Sequence, residues 1–187
     1  MSTPLRFTSA DLELLPDVDG VRYEIIDGEL TVSKSADWRH QNVCSNLNIE
    51  IGNWNRETRL GRVLQAAGLI FAPDDDVIPD LIWISRARLE RGIDDAGHIR
   101  LAPELVVEVL SAGVVNERRD RELKLKLYSR QGVTEYWIVD WRARMVQVFR
   151  RGEVALALVC TLHDGDTLTS PVLPGFSCPV SRLWDSI

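Results

Sequence analysis

Leu105-Val106-Val107-Glu108-Val109-Leu110 is a continuous apolar run interrupted by one carboxylate. Short aliphatic, β-branched runs of this kind read as strands buried on both faces of a sheet. The run therefore predicts a central strand covered by other elements above and below. By strand alternation Glu108 shares a face with Val106 and Leu110. An ionised carboxylate on such a face is costly unless it is paired or binds a metal. The other reading is a glutamate near a strand end, satisfied by an arginine or by water.

Outward from this run the pattern changes period. Glu117 to Arg130 reads as a helix. At about 100° per residue, Lys124 falls inside the inward stripe with Leu127 and Tyr128, and Asp120 lies beside it. Lys126 and Glu122 fall on the opposite face, where charges belong. The chain has three lysines, Lys34, Lys124 and Lys126, so an inward one is conspicuous. The alternative for Lys124 is a stem lying along the core with its ammonium paired to Asp120. On the other side of the run, Pro79 and Asp80 introduce a strand ending at Ile84. Alone, that aspartate is an ordinary turn residue. Two carboxylates with a nearby ammonium form a set suited to metal-assisted phosphodiester cleavage. Carboxylates hold Mg²⁺ or Mn²⁺, the ion acidifies a water, and a lysine steadies developing negative charge.

The remaining elements complete an α+β, mixed α/β pattern with a central mixed sheet. Thr8 to Leu15 reads as a short helix, with Thr8 as cap and Asp11 three residues on. Arg22–Ile26 and Glu29–Ser33 flank Asp27-Gly28, a dipeptide suited to a type I′ hairpin turn. His40, Val43, Cys44, Leu47, Ile51 and Trp54 recur at helical spacing, predicting a helix from Asp37 to about Arg56. Strands are expected at Arg62–Gln65, Leu69–Ala72, Glu135–Asp140, Met145–Arg150 and Val154–Leu162. Ser85–Glu90 is expected to form a helical turn. Asp74-Asp75-Asp76 lacks the spacing of a calcium loop and reads as a solvated turn. Pro171 to Ile187 is expected to be a tail with one short helix.

Composition bounds the function. The 187 residues are 45% hydrophobic and 27% charged, which fits one domain over 1–187 and argues against disorder. Three cysteines without a CxxC pair suit neither a disulfide scaffold nor a structural zinc site. Met1 to Arg6 lacks the start of a signal peptide, and no apolar run is long enough to span a bilayer, so a reducing cytosol is expected. The net charge is −6, which opposes a generally basic nucleic-acid binder. Yet between Glu117 and Arg151 ten basic residues face five acidic ones. That segment would attract phosphates, with Arg118, Arg119 and Arg121 as candidate contacts. Its other reading is a solvated helix face and a polar strand edge.

Several motifs occur together in one order: Tyr23-Glu24-Ile25-Ile26-Asp27-Gly28-Glu29-Leu30, Pro79-Asp80-Leu81, Pro103 to Ser111, Asp120-Arg121 with Lys124 and Tyr128, and Gly132 to Asp140. The arrangement resembles the Uma-two family, bacterial proteins of unknown function with a restriction-endonuclease-like fold in the PD-(D/E)xK nuclease superfamily. The resemblance covers Thr8 to the Leu173-Pro174-Gly175 tail. It implies that Asp80 and Glu108 hold the metal, with the Val109 carbonyl nearby and Glu24 as an accessory ligand. The superfamily usually places its lysine two residues after the second acid, where this chain has Leu110. The resemblance offers Lys124 as a lysine moved to the following helix. His40 sits at a family-like position, but a histidine on an apolar stripe is more often a core or rim residue than a base.

The expectation is a Mg²⁺- or Mn²⁺-dependent DNA endonuclease acting as a homodimer, without a membrane. Two rivals stand beside it. One is a protein of the same fold that binds nucleic acid or a protein partner without cleaving. The other is a structural homodimer with an apolar surface to which Trp54, Trp83 or Trp184 contributes.

Overall fold

The computed structural model describes residues 5–34, 37–111, 118–185 and 187. The first half holds helix α1 (Ser9–Leu12), strands β1 (Val21–Ile26) and β2 (Glu29–Lys34), and helix α2 (Trp38–Thr58). Strands β3 (Gly61–Gln65), β4 (Leu69–Ala72), β5 (Asp75–Val77) and β6 (Leu81–Ser85) follow, then helix α3 (Arg86–Gly92) and strand β7 (Leu105–Val109). A π-helical turn (Arg119–Leu123) runs into helix α4 (Lys124–Gln131). Strands β8 (Glu135–Asp140), β9 (Met145–Arg151), β10 (Leu156–Leu162), β11 (Thr167–Ser170) and β12 (Leu173–Pro179) precede a final 3-10 turn, Val180–Trp184. Among the described residues no helix is long and apolar enough to cross a membrane.

The apolar run is the centre of the molecule. β7 lies inside a six-stranded sheet of order β10-β9-β8-β7-β6-β3, and every one of its residues is buried. It pairs antiparallel with β6 and parallel with β8. Parallel pairing needs a crossover, which the π-turn and α4 lie on. Alternation along β7 then divides two cores. Leu105, Val107 and Val109 join Val43, Leu47 and Ile51 of α2, with Trp137 and Phe176. Val106 and Leu110 join Leu127 and Tyr128 of α4, with Ile26 and Leu69 from the second sheet. Burying each such aliphatic side chain contributes about 1.5–3 kcal/mol.

The second sheet has four strands in the order β2-β1-β5-β4. Its hairpin turn is as predicted: Asp27 and Gly28 both have positive φ, 50° and 73°, which type I′ geometry requires. Helix α2 starts one residue after the expected Asp37, which caps it instead: its side chain accepts the Arg39 N–H at 2.8 Å. α1 has the predicted capping box, with Asp11 accepting from the Thr8 N–H at 2.7 Å. Gly61 is fixed by close approach: a Cβ there would lie 2.3 Å from the Ile84 carbonyl oxygen.

Four expectations are corrected. The helix expected from Glu117, which lies outside the described residues, is not α-helical throughout. The Lys124 N–H bonds the Arg119 carbonyl, five residues back, so one extra residue enters the turn. Asp75 and Asp76 are not a solvated turn but part of β5, and Asp75 is buried. Arg130 at 2.7 Å and Gln131 at 3.2 Å supply its charge and hydrogen-bonding partners. The tail from Pro171 carries a strand, β12, paired with β11 just ahead of it, before the expected short helix. Trp83 and Trp184 are buried and Trp54 is partly buried against the core, so these tryptophans build no exposed apolar surface.

Candidate active site

The site forms where β7, β6 and β1 meet the start of the crossover helix. A cleft of about 610 Å³ is lined by Glu24, His40, Asp80, Glu108, Arg119 and Lys124 among others, Val109 and Ser111 included. Each reaches the cleft for a local reason. Glu24 is in β1, with its side chain buried among partners from other elements. Asp80 is held by the Val109 N–H at 2.9 Å, immediately after Glu108 on the neighbouring strand. Lys124 is the first residue of α4, and the π-turn before it carries Arg119 and Asp120 inward as well.

Lys124 ties the acids together. Its Nζ lies 2.8 Å from Glu108 Oε1, 2.9 Å from Glu24 Oε1 and 4.0 Å from Asp120 Oδ1. The Tyr128 hydroxyl also donates to Glu108 Oε1 at 2.8 Å. Among the described residues nothing donates to Glu108 Oε2. Glu24 Oε1 also accepts the Ile78 N–H at 2.8 Å. Arg119 Nε donates to Asp120 Oδ1 at 3.0 Å, and its Nη1 is 4.0 Å from Glu24 Oε2. That Nη1 is buried without a hydrogen-bond partner among the described residues. The Tyr136 hydroxyl donates to the Asp120 carbonyl at 2.9 Å, pinning the π-turn to β8.

Asp80 has a different shell. His40 Nε2 lies 3.2 Å from its Oδ2, and Arg22 Nη1 reaches its Oδ1 at 3.4 Å. His40 Nδ1 faces Cys44 Sγ at 3.6 Å, one helical turn on.

The electrostatics follow from the count of buried charges. Glu24, Asp80, Glu108 and Asp120 are buried with Lys124 and Arg119. Fully ionised, the four carboxylates would exceed the two cations by two negative charges, partly eased by half-buried Arg22. Burial opposes ionisation of Glu24, but Lys124, then Arg119 and the Ile78 N–H, hold its carboxyl below the usual range. Burial likewise opposes ionisation of Asp80, yet His40, Lys124 and the Val109 N–H keep it low. Glu108 takes the strain. Burial pushes its carboxyl up to about 8 against the pull of Lys124, and Asp80, Asp120 and Glu24 add to the rise. Asp120 is raised by burial too. Burial disfavours charge on Lys124, but Glu108, Glu24 and Asp120 raise it, so the ammonium stays charged. With Glu24 already ionised beside that ammonium, Glu108 is the acid that keeps the surplus proton. Burial pushes the Cys44 thiol up, with Asp80 and Glu108 adding to it.

The structure thus brings together Glu24, Asp80, Glu108, Val109, Lys124 and Arg119. It does not bring in the other two arginines. Arg118 is exposed and pairs with Glu122 at 3.1 Å, and Arg121 reaches Asp140 at 3.3 Å and also bonds Gln147. Leu110, at the position usual for the superfamily lysine, is fully buried in the core. His40, expected as a core or rim residue, is buried against Asp80 and Cys44. Cys44, Arg22 and the Tyr128 hydroxyl, which the sequence did not single out, also reach the cluster. The signal for Cys44 was present in its i+4 spacing from His40.

The fold is shared with solved structures. One of these, of "a putative nuclease belonging to DUF820 from Anabaena variabilis ATCC 29413", is similar with a TM-score of 0.74. The likeness covers 95% of this chain and 97% of that one at 17% identity, which shows a common, restriction-endonuclease-like fold. No curated protein matches. The model of one family, described as "Putative restriction endonuclease", matches residues 9–181, and the chain therefore belongs to the Uma2 family.

Proposed function

We propose that the protein is a Mg²⁺- or Mn²⁺-dependent endonuclease that hydrolyses phosphodiester bonds in DNA. The observation that carries this reading is the meeting of Asp80, Glu108 and Lys124 in one polar cleft with negative charge in excess. The residues fit a hard divalent cation. Glu108 Oε2 and the weakly held Asp80 Oδ1 are carboxylate oxygens, the donors such ions prefer. With Glu108 and Asp120 ionised, the two surplus negative charges would equal the charge of one such ion. Asp80 and Glu108 would hold it, with the Val109 carbonyl and Glu24 as further oxygens. When bound, the ion supplies an acidified water and offsets charge on the scissile phosphate.

The chain's own residues do the rest. With a cation held there, Glu108 would be the ionised carboxylate, its proton released to solvent. Lys124 Nζ orients the attacking water and stabilises charge that develops on the phosphate. Arg119 Nη1, a buried donor without a partner, donates to a phosphate oxygen. Buried polar groups of that kind call for an explanation, and an anion at the cleft provides one. Arg118 and Arg121 contact phosphates further along the strand. A homodimer doubles this basic surface on a chain of net charge −6, and three free cysteines suit a cytoplasmic setting.

The test is nicking of supercoiled plasmid by purified protein. Mg²⁺ or Mn²⁺ should support nicking, and EDTA, D80N or E108Q should abolish it. Nicking that survives EDTA and both variants would overturn the reading. Leu110 favours one rival, a non-cleaving nucleic-acid binder. That reading predicts DNA binding insensitive to metal and to D80N, with no nicking.

A further inference from the structure

Beside the carboxylates lies a second donor set of different chemistry. His40, Cys44 and Asp80 each offer one ligand atom, and these atoms lie within 4.8 Å of one another. His40 and Cys44 are one turn apart on α2, so both face the same way. The imidazole sits between the other two: Nδ1 is 3.6 Å from Cys44 Sγ and Nε2 is 3.2 Å from Asp80 Oδ2. Ligands on one zinc ion, at about 2.0 Å for nitrogen and about 2.3 Å for sulfur, stand roughly 3–4 Å apart. The set is therefore near that spacing, and the ring must trade one of its two contacts for the ion.

We propose that His40, Cys44 and Asp80 form a site for a borderline-soft divalent cation, Zn²⁺, that competes with the hard cation for Asp80. Thiolate and imidazole select zinc over magnesium, whose preference is for oxygen alone. Three protein ligands leave a fourth position open toward the cleft, which His40 and Asp80 line. On binding, the Cys44 thiol loses its proton to solvent as the S–Zn bond forms. Occupancy removes Asp80 from the carboxylate pair, so Zn²⁺ inhibits rather than supports the chemistry there. This consequence rests on the nuclease reading, but the site itself does not.

The test uses the full chain, stripped of metal and titrated with Co²⁺ alone. Thiolate-bound Co²⁺ gives a near-ultraviolet charge-transfer band that oxygen and nitrogen ligands do not. The band should appear in the wild type, vanish in C44S, persist in E108Q and be displaced by Zn²⁺. No band in the wild type, or a band retained in C44S, overturns the proposal. Should C44S fail to fold, C160S/C178A leaves Cys44 as the sole cysteine: a band there supports the site and its absence overturns it. Cleavage is scored separately. A band without any Mg²⁺- or Mn²⁺-supported cleavage keeps the zinc site and removes the nuclease reading. Cleavage without a band does the reverse. Where both hold, Zn²⁺ inhibition should be lost in C44A.

Discussion

Lys124 and Glu108, sixteen residues apart in sequence, meet at 2.8 Å with both side chains buried. The ammonium comes from α4 and the carboxylate from β7, so this contact fastens the crossover helix to the central strand. Glu24 shares the same ammonium at 2.9 Å. Removing one partner of a buried pair leaves the other charge unpaired, at a cost of about 3–5 kcal/mol. K124M strands the Glu24 carboxylate and, above about pH 8, the Glu108 carboxylate as well, and should lose that much in urea unfolding of the metal-free protein above that pH. K124M/E108Q should recover part of the loss, because the cycle removes the stranded charge with its partner. A K124M loss within about 0.5 kcal/mol of zero, the size of an ordinary surface change, would mean that the cluster is not held by this lysine.

Glu108 also sets a pH dependence. The folded chain keeps its proton to about 8, whereas the ordinary value is 4.5. Between those limits the native state binds more protons than the unfolded one, so this carboxyl withdraws stability as pH rises through the window. Glu24 and Asp80, held low, act oppositely: their stabilisation is present at neutral pH and lost on acidification. E108Q carries no titrating proton at this position. In EDTA, its stability relative to the wild type should therefore grow as pH rises from 4.5 to about 8. A difference that stays flat over that interval would show that Glu108 does not hold the surplus proton.

Metal should change the melting temperature through the same acids. An ion that binds only the folded state stabilises it by about 2.7 kcal/mol at a hundred times its dissociation constant. Mg²⁺ or Mn²⁺ should raise the wild-type midpoint, and D80N or E108A should remove the rise. His40 lies 3.2 Å from Asp80 and steadies it together with the Val109 N–H. Loss of such an orienting partner typically weakens metal affinity about 10–100-fold, so H40A should need correspondingly more metal for the same rise. Equal rises in wild type, D80N and H40A would place the ion elsewhere.

Much of the site was legible because charge stood out against apolar pattern. Glu108 interrupts a strand buried on both faces, and Lys124 sits on an inward helical stripe. Both expectations hold, since both side chains are buried and in contact. The Asp27-Gly28 hairpin was legible from turn chemistry alone. What the sequence hid depends on departures from regular period or on distant partners. Arg119 lies off the stripe of a regular helix, and only the π-turn carries it inward. Asp75 sits among three aspartates, and its burial depends on Arg130, fifty-five residues away. His40 read only as a core or rim residue, and it is buried, but nothing local announces Asp80 as its partner. The β11–β12 hairpin was masked by Pro171, Pro174, Gly175 and Pro179, which punctuate like a loop. Phe176 of β12 nevertheless stacks on Trp137 of the central sheet at 6.2 Å, and that packing holds the hairpin.

The three neighbouring arginines should separate in a DNA-binding experiment, because the structure gives them three settings. Arg118 is exposed, and its pairing with Glu122 is of the kind worth little in water. If it neutralises one phosphate, R118A should lower the slope of log affinity against log salt by about 0.9 and leave urea unfolding unchanged. Arg121 is held by Asp140 and Gln147. R121A leaves Asp140 the N–H groups of Arg142 and Ala143, so its effect on the fold should be small and its effect on the slope similar. Arg119 is buried between Asp120 and Glu24. R119A should destabilise the chain more than either neighbour. R119K keeps a charge there but loses the Nη1 donor, so it should retain more stability than R119A while weakening DNA binding. The measurement is fluorescence anisotropy of a labelled duplex in EDTA across a salt series, beside urea unfolding of each variant. Identical shifts for all three arginines would mean that they act as one solvated basic face, and that the buried Nη1 is not a phosphate contact.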